Sequence, residues 1–138
     1  MSWPITYTQR YHYQSSLNGI EIPTTLEYGN QTTSLMAKVD TGAHYCLFKR
    51  EIGERLGINV DAGDPIILDS LGGPVEAFGH EVALQTLNLT FYSLVYFAKY
   101  PHLRRNILGS VGWLRNVYLG VVDQDEMVYL APYGEFTY

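Results

Sequence analysis

From Gly19 onward the pattern of apolar and polar positions predicts mostly short strands. Ile20, Ile22, Thr24 and Leu26 alternate with Glu21, Pro23, Thr25 and Glu27, the pattern of a half-buried strand. Tyr28-Gly29-Asn30-Gln31 predicts a turn, and Ser34 to Val39 a second strand that runs straight into Asp40-Thr41-Gly42. His44 to Phe48 predicts a further short strand. The period then changes. In Lys49 to Gly57 the apolar Ile52 and Leu56 stand four apart among polar residues, which predicts one or two turns of helix ended by Gly57. Asp61 to Pro65 predicts a loop. Ile66 to Leu71, Gly72-Gly73 and Pro74 to Phe78 together predict a hairpin with a glycine tip. His80 to Leu87 and Leu89 to Ala98 are expected strands, and Tyr100-Pro101-His102 a turn. Asn106 to Gly109 reads as a short strand entering a second helix, roughly Val111 to Tyr118, ended by Gly120. Tyr118 to Val122 and Met127 to Leu130 close the chain as a hairpin around Asp123-Gln124-Asp125-Glu126. No linker or low-complexity stretch divides the chain. Residues 1–18, polar and aromatic, are expected to form an arm or irregular lead-in, and residues 19–138 a single all-β domain.

Composition supports such a domain and narrows its partners. In 138 residues, 46% are apolar, enough to build a packed core without staples or metals. The net charge of -5 argues against nucleic acid as the main partner, since phosphate binding needs a basic face. The only basic clusters are short: Lys49-Arg50 and Arg104-Arg105. A single cysteine, Cys46, excludes an intrachain disulfide and a cysteine-based zinc site. It is expected to pack inside a strand, and it suits a reducing, cytoplasmic setting. No basic segment followed by an apolar run marks a signal peptide. The apolar stretch Leu87 to Ala98, broken by Asn88, Thr90 and Ser93, is too short to span a bilayer, so no membrane partner is expected. His44, His80 and His102 match no zinc spacing, and the acidic turn at residues 123–126 lacks the glycine and terminal Glu spacing of a calcium loop. Neither metal nor cofactor is expected.

The chemistry concentrates in one tripeptide. Asp40-Thr41-Gly42 stands at the end of an apolar strand, where a carboxylate is partly desolvated, a Thr hydroxyl can lock the turn, and a glycine permits close approach of a ligand. A strand ending in a glycine turn occurs a second time, at Ile107-Leu108-Gly109-Ser110, without a carboxylate at the matching place. One carboxylate alone is a poor peptide hydrolase. Two held together share a proton, so that one acts as base towards water while the other donates to the carbonyl oxygen. This chain supplies one, so two chains would have to meet about a twofold axis.

Four parts, in order, resemble the retropepsin-like aspartic peptidases, which include the retroviral proteases and their cellular and bacterial relatives. Val39-Asp40-Thr41-Gly42-Ala43 resembles the catalytic turn, and Arg50 to Gly57 the short helix that follows it in cellular and bacterial members. Leu68-Asp69-Ser70-Leu71-Gly72-Gly73-Pro74-Val75 resembles the flap hairpin, and Asn106-Ile107-Leu108-Gly109 the second apolar-apolar-Gly turn. The resemblance spans roughly residues 19–130. It implies a small closed barrel with two short helices and a flap, working as a homodimeric endopeptidase on extended peptide or protein substrates. It implies Asp40 as the dyad carboxylate, Thr41 bonding across the axis, and Gly42 binding substrate backbone. Ala43, His44 and Tyr45 would lie beside the subsites, with Leu71 and Gly72 at the flap tip and Asp69 and Ser70 facing the cleft. Ser110 stands where viral members carry an arginine, Lys38 occupies an often apolar position, and the last hairpin is longer than the viral ending. These departures fit a cellular or bacterial member. Two other readings stay open on the sequence: a dimeric peptide-binding or assembly module on the same fold, and a monomeric β-domain with an incidental Asp-Thr-Gly.

Overall fold

The computed structural model describes residues 1–15 and 18–134. Residues 16–17, at the junction of the expected arm and domain, and residues 135–138 lie outside the described residues. The elements run β1 (Gln9–His12), β2 (Glu21–Tyr28), β3 (Gln31–Val39), β4 (Leu47–Phe48), α1 (Arg50–Arg55), β5 (Asp64–Leu68), β6 (Val75–Thr86), β7 (Leu89–Ala98), β8 (Asn106–Leu108), β9 (Val117–Val122) and β10 (Met127–Pro132).

Six strands close into a barrel in the order β2-β3-β8-β4-β7-β6, and β6 returns to β2 through the pairs Thr24↔Thr86 to Glu27↔Ala83. Closure removes the sheet edges that would otherwise invite pairing with other chains. β5 stays outside the ring, paired only with β6, so the hairpin they form projects from the barrel. Two of the contacts are parallel, β3 with β8 and β4 with β7. The alternation of β2 fits this position: Ile22, Thr24 and Leu26 are buried while Pro23 and Glu27 are exposed. The barrel is filled by side chains such as Ile22, Leu26, Leu84, Phe97 and Leu108, all fully buried. Each contributes about 1.5–3 kcal/mol by leaving water. Trp113 is also fully buried, and its indole N–H donates to Thr86 Oγ1 at 3.0 Å, so the ring carries no unpaired polar atom into the core.

Helix α1 forms where the four-residue spacing predicted it. Ile52 and Leu56 are buried, and the chain leaves the helix through Gly57 at φ +76°, a conformation glycine adopts without cost. Arg50 ties the helix to the barrel, donating from Nη1 to Asp61 Oδ1 at 2.8 Å and to the Lys99 carbonyl at 3.0 Å.

Four expectations change. The second helix over residues 111–118 is absent. A single 3₁₀ turn, Leu114–Asn116, stands there, and β9 begins at Val117. Gly112 at φ +98° breaks a right-handed helix, Val111 is bridged to Tyr45, and Val117 and Tyr118 pair with Pro132 and Ala131 of β10. The strand expected over His44 to Phe48 shortens to Leu47–Phe48, preceded by the Tyr45 bridge. The strands expected on either side of Gly79 are one, β6, which passes the glycine without interruption. The lead-in also contains a strand. β1 pairs with β10, and β10 with β9, in a separate three-stranded sheet. The segment after β1 is clamped by side chains. Tyr13 is buried and its hydroxyl donates to the Asp123 carboxylate, which with burial pushes the phenol up to about 12. The Ser15 N–H donates to Glu126 Oε2 at 2.6 Å, and hydrogen bonds from Ser15 hold that carboxyl below its ordinary range.

Candidate active site

Asp40 follows β3 directly. The parallel register Ala37↔Asn106, Lys38↔Ile107 and Val39↔Leu108 carries the two glycine turns side by side, and the Asp40 N–H continues the ladder to the Leu108 carbonyl at 3.0 Å. The side chain of Asp40 folds back on its own turn. Its Oδ1 accepts from the Gly42 N–H at 3.0 Å, and its carbonyl accepts from the Ala43 N–H at 3.1 Å. The turn is therefore locked by the aspartate. The Thr41 hydroxyl, expected to do this, has no partner among the described residues, and neither has Asp40 Oδ2. Asp40 is half-buried, while Thr41, Gly42 and His44 are exposed. The carboxylate thus stands part-exposed at the surface of the chain, with one oxygen uncommitted among the described residues.

The second turn is built differently and does a different job. Ser110 N–H donates to the Ala43 carbonyl at 2.9 Å and Val111 N–H to the His44 carbonyl at 2.8 Å. Gly109 is buried so tightly against this segment that a Cβ on it would sit 2.2 Å from the Tyr45 oxygen. Leu108 is fully buried and Ile107 half-buried. Ile107-Leu108-Gly109 therefore props the Ala43 to Tyr45 segment from behind. Gly42 contrasts with it: a methyl group there would meet nothing closer than Asp40 Oδ1 at 3.4 Å. Packing within the chain demands a glycine at 109 and does not demand one at 42.

Cys46 sits between the two turns. It accepts from the Gly109 N–H at 3.3 Å and is fully buried, and burial pushes its thiol up to about 12 against a partial offset from the Gly109 bond. The neutral thiol is the folded-state form, so its contribution to stability is complete below the ordinary thiol value of 9.0 and declines as pH rises from there towards about 12. The thiol is expected to react with an aromatic disulfide reagent at neutral pH at least about 100-fold more slowly in the folded protein than in denaturant. Equal rates in the two conditions would contradict this burial.

The flap hairpin is joined to the turn through a small apolar cluster. Tyr45 packs edge-on to His44, with ring centres 4.5 Å apart, and to Tyr96 at 5.0 Å. Leu47, Ala77, Tyr96 and Ala98 form the buried part of this cluster, and Val75, Leu68 and Ile107 are among the residues that cover it. The base of the flap and the segment after Asp40 thus share one apolar patch. Tyr96 was not singled out from the sequence, where it is one more alternating aromatic of the strand at 89–98. At the tip, Asp69, Ser70, Leu71 and Gly72 are all exposed, Leu71 completely so. Gly73 takes φ +109°, its N–H donates to the Ser70 carbonyl at 3.0 Å, and the Ser70 hydroxyl donates to the Gly73 carbonyl at 2.6 Å. The Ser70 hydroxyl is therefore spent on the turn.

Among the described residues no three His, Cys, Asp or Glu side chains converge in a way that could hold a metal ion. His80 lies away from the turn, bonded through Nε2 to the Val60 carbonyl at 2.9 Å. No helix is long and apolar enough to cross a membrane among the described residues. What the arrangement offers chemically is one carboxylate at the end of β3, bonded through Oδ1 to its own turn and with Oδ2 without a partner among the described residues.

Comparison with known proteins agrees with this arrangement. A family model described as aspartyl protease matches residues 22–110, which takes in the Asp40 turn, the flap hairpin and the second turn. No curated protein matches the chain. Among solved structures, an EIAV protease complexed with the inhibitor HBY-793 superposes with a TM-score of 0.52 at 21% identity, over 70% of this chain and 86% of that one. At that identity the likeness is one of fold.

Proposed function

Because this chain belongs to the aspartyl protease family, with a retropepsin-like barrel, we propose that it is an endopeptidase whose active site forms only when two copies meet. The observation that carries the reading is the asymmetry of the two glycine turns. One ends in a part-exposed aspartate with an oxygen unpartnered among the described residues, and the other has no carboxylate and is consumed in packing. A single chain therefore holds half a dyad. A twofold axis beside Asp40 would bring two such carboxylates together from one sequence. Thr41, exposed and unpartnered among the described residues, would bond to the other copy's turn. Gly42, whose lack of a side chain the protomer does not need, would leave room for substrate backbone.

In this mechanism the pair holds one proton. The ionised member accepts a proton from water as it attacks the scissile carbonyl, and the protonated member donates to the carbonyl oxygen. The resulting tetrahedral species collapses as the amine leaves with a proton, and no covalent enzyme intermediate forms. An extended peptide would lie between the Ala43-His44-Tyr45 segment and the flap, whose exposed Leu71 and Gly72 would close over it with Asp69 and Ser70 alongside. The buried Cys46 is compatible with work in the cytoplasm.

Activity is expected to peak in mildly acidic solution. Above the optimum both carboxylates ionise and no acid remains to donate, while below it both are protonated and no base remains. Cleavage of a diverse peptide library from acid to neutral pH measures this. A rate that climbs steadily into alkaline pH would contradict the dyad. Peptide binding with no cleavage at any pH would assign the chain to the non-catalytic peptide-binding alternative.

A further inference from the structure

Lys49, from the first basic cluster of the sequence, meets both arginines of the second, far along the chain, in the fold. Lys49, Arg104 and Arg105 line one cleft of about 290 Å³ together with Asn18, Glu21 and Asn106. This cleft lies at the opposite end of the β3–β8 pair from the Asp40 turn. Met36, in its wall, is four residues before Asp40, or about 13 Å at the rise of a strand.

The walls are built rather than incidental. Asn106 is buried, its Oδ1 accepts from the Lys49 N–H at 2.9 Å, and its Nδ2 donates to the Met36 carbonyl at 3.4 Å. That bond fixes the backbone from which the Lys49 side chain springs. Arg105 is oriented by a hydrogen bond from Nη2 to Asn18 Oδ1 at 2.8 Å, a neutral acceptor that leaves its charge uncompensated.

Charge makes the cleft unusual for this chain. The protein carries nine Lys and Arg residues against fourteen Asp and Glu. Among the described residues Arg50, Arg55 and Lys99 have carboxylates at ion-pair distance, whereas Arg10, Lys38, Arg115 and the three cations of the cleft have none, and only in the cleft do three such cations line one cavity. Glu21 shares the wall without pairing to any of them, so the cleft keeps a net positive charge on an acidic protein. Like charges gathered without a counter-ion repel one another, and an anion seated among them relieves that repulsion. Arginine forks match the geometry of phosphate and carboxylate oxygens.

We propose that this cleft binds a small oxyanion, a phosphate or carboxylate group, held by Lys49, Arg104 and Arg105. The volume is at the lower limit of ligand pockets, roughly 300–1,000 Å³, which suits a single anionic group and not a nucleotide. The site is independent of the peptidase reading, because none of its residues belongs to the Asp40 turn or the flap.

The test is titration of the full chain with inorganic phosphate at constant ionic strength, followed by amide NMR. Saturable shifts are expected at Lys49, Arg104, Arg105 and Asn106, and chloride should not reproduce them. Arg104 is exposed and makes no hydrogen bond among the described residues, so Arg104→Glu should fold with unchanged melting temperature and weaken phosphate at least about tenfold. A phosphoserine peptide and a glutamate-rich peptide are then added in competition. Displacement by the first identifies a phosphorylated polypeptide as the source, displacement by the second an acidic side chain, and displacement by neither a free anion. Shifts that grow linearly with any salt, or undiminished phosphate affinity in the folded Arg104→Glu variant, would overturn the proposal.

Discussion

Asp40→Asn is expected to lower peptide cleavage at least about 10³-fold while leaving fold and self-association unchanged. The reasoning runs through the two oxygens of the side chain. Oδ1 is used structurally, accepting from the Gly42 N–H at 3.0 Å, and an asparagine oxygen can accept the same bond. Oδ2 has no partner among the described residues and is the atom the proposed chemistry needs. The substitution thus keeps the turn and removes the titratable function. Asp40 is half-buried and makes no ion pair among the described residues, so the change in stability should stay within about 0.5 kcal/mol. Cleavage assays beside circular dichroism and sedimentation check both halves. Loss of folding would make Asp40 a structural carboxylate.

Gly109→Ala is expected to have the opposite signature, a loss of stability of about 3 kcal/mol or more. A Cβ at this position would lie 2.2 Å from the Tyr45 oxygen, 2.6 Å from the Tyr45 carbonyl carbon and 2.9 Å from the Ala43 oxygen. These are backbone atoms. They cannot swing aside as a side-chain end would, and they are held by the Ser110 and Val111 ladder bonds. The strain must therefore separate the two turns, and with them the support under Asp40. Small domains are stable by only about 5–15 kcal/mol, so such a loss would show plainly in a denaturant titration. Gly42→Ala is the control. Its methyl meets only ordinary contact at 3.4 Å, so the fold should survive, while substrate binding should suffer under the proposed mechanism. Equal stability of wild type and Gly109→Ala would contradict the packing described here.

Local patterns made the barrel legible in the sequence. The alternation of residues 20–27 survives because that strand buries one face and exposes parts of the other, and the Ile52–Leu56 spacing survives because α1 buries a single stripe. The Asp40 turn could be read because a strand, a carboxylate and a glycine are contiguous. The second helix misled because Val111, Leu114 and Tyr118 stand at helical spacing, a local signal that tertiary pairing overrides. Strand β1 was hidden for the related reason that its partner β10 lies at the other end of the chain, and its own residues alternate only weakly in burial. The cleft of Lys49, Arg104 and Arg105 likewise exists only once β4 and β8 are paired.

The central claim, that two chains share one active site, is tested most directly by mixing. Wild type and Asp40→Asn protein would be equilibrated at varied ratios and constant total concentration, and the rate of peptide cleavage measured. If the site needs Asp40 from both copies, activity follows the square of the wild-type fraction and falls to about a quarter at an equal mixture. A linear fall, to about half at an equal mixture, would mean that one chain suffices and would contradict the account.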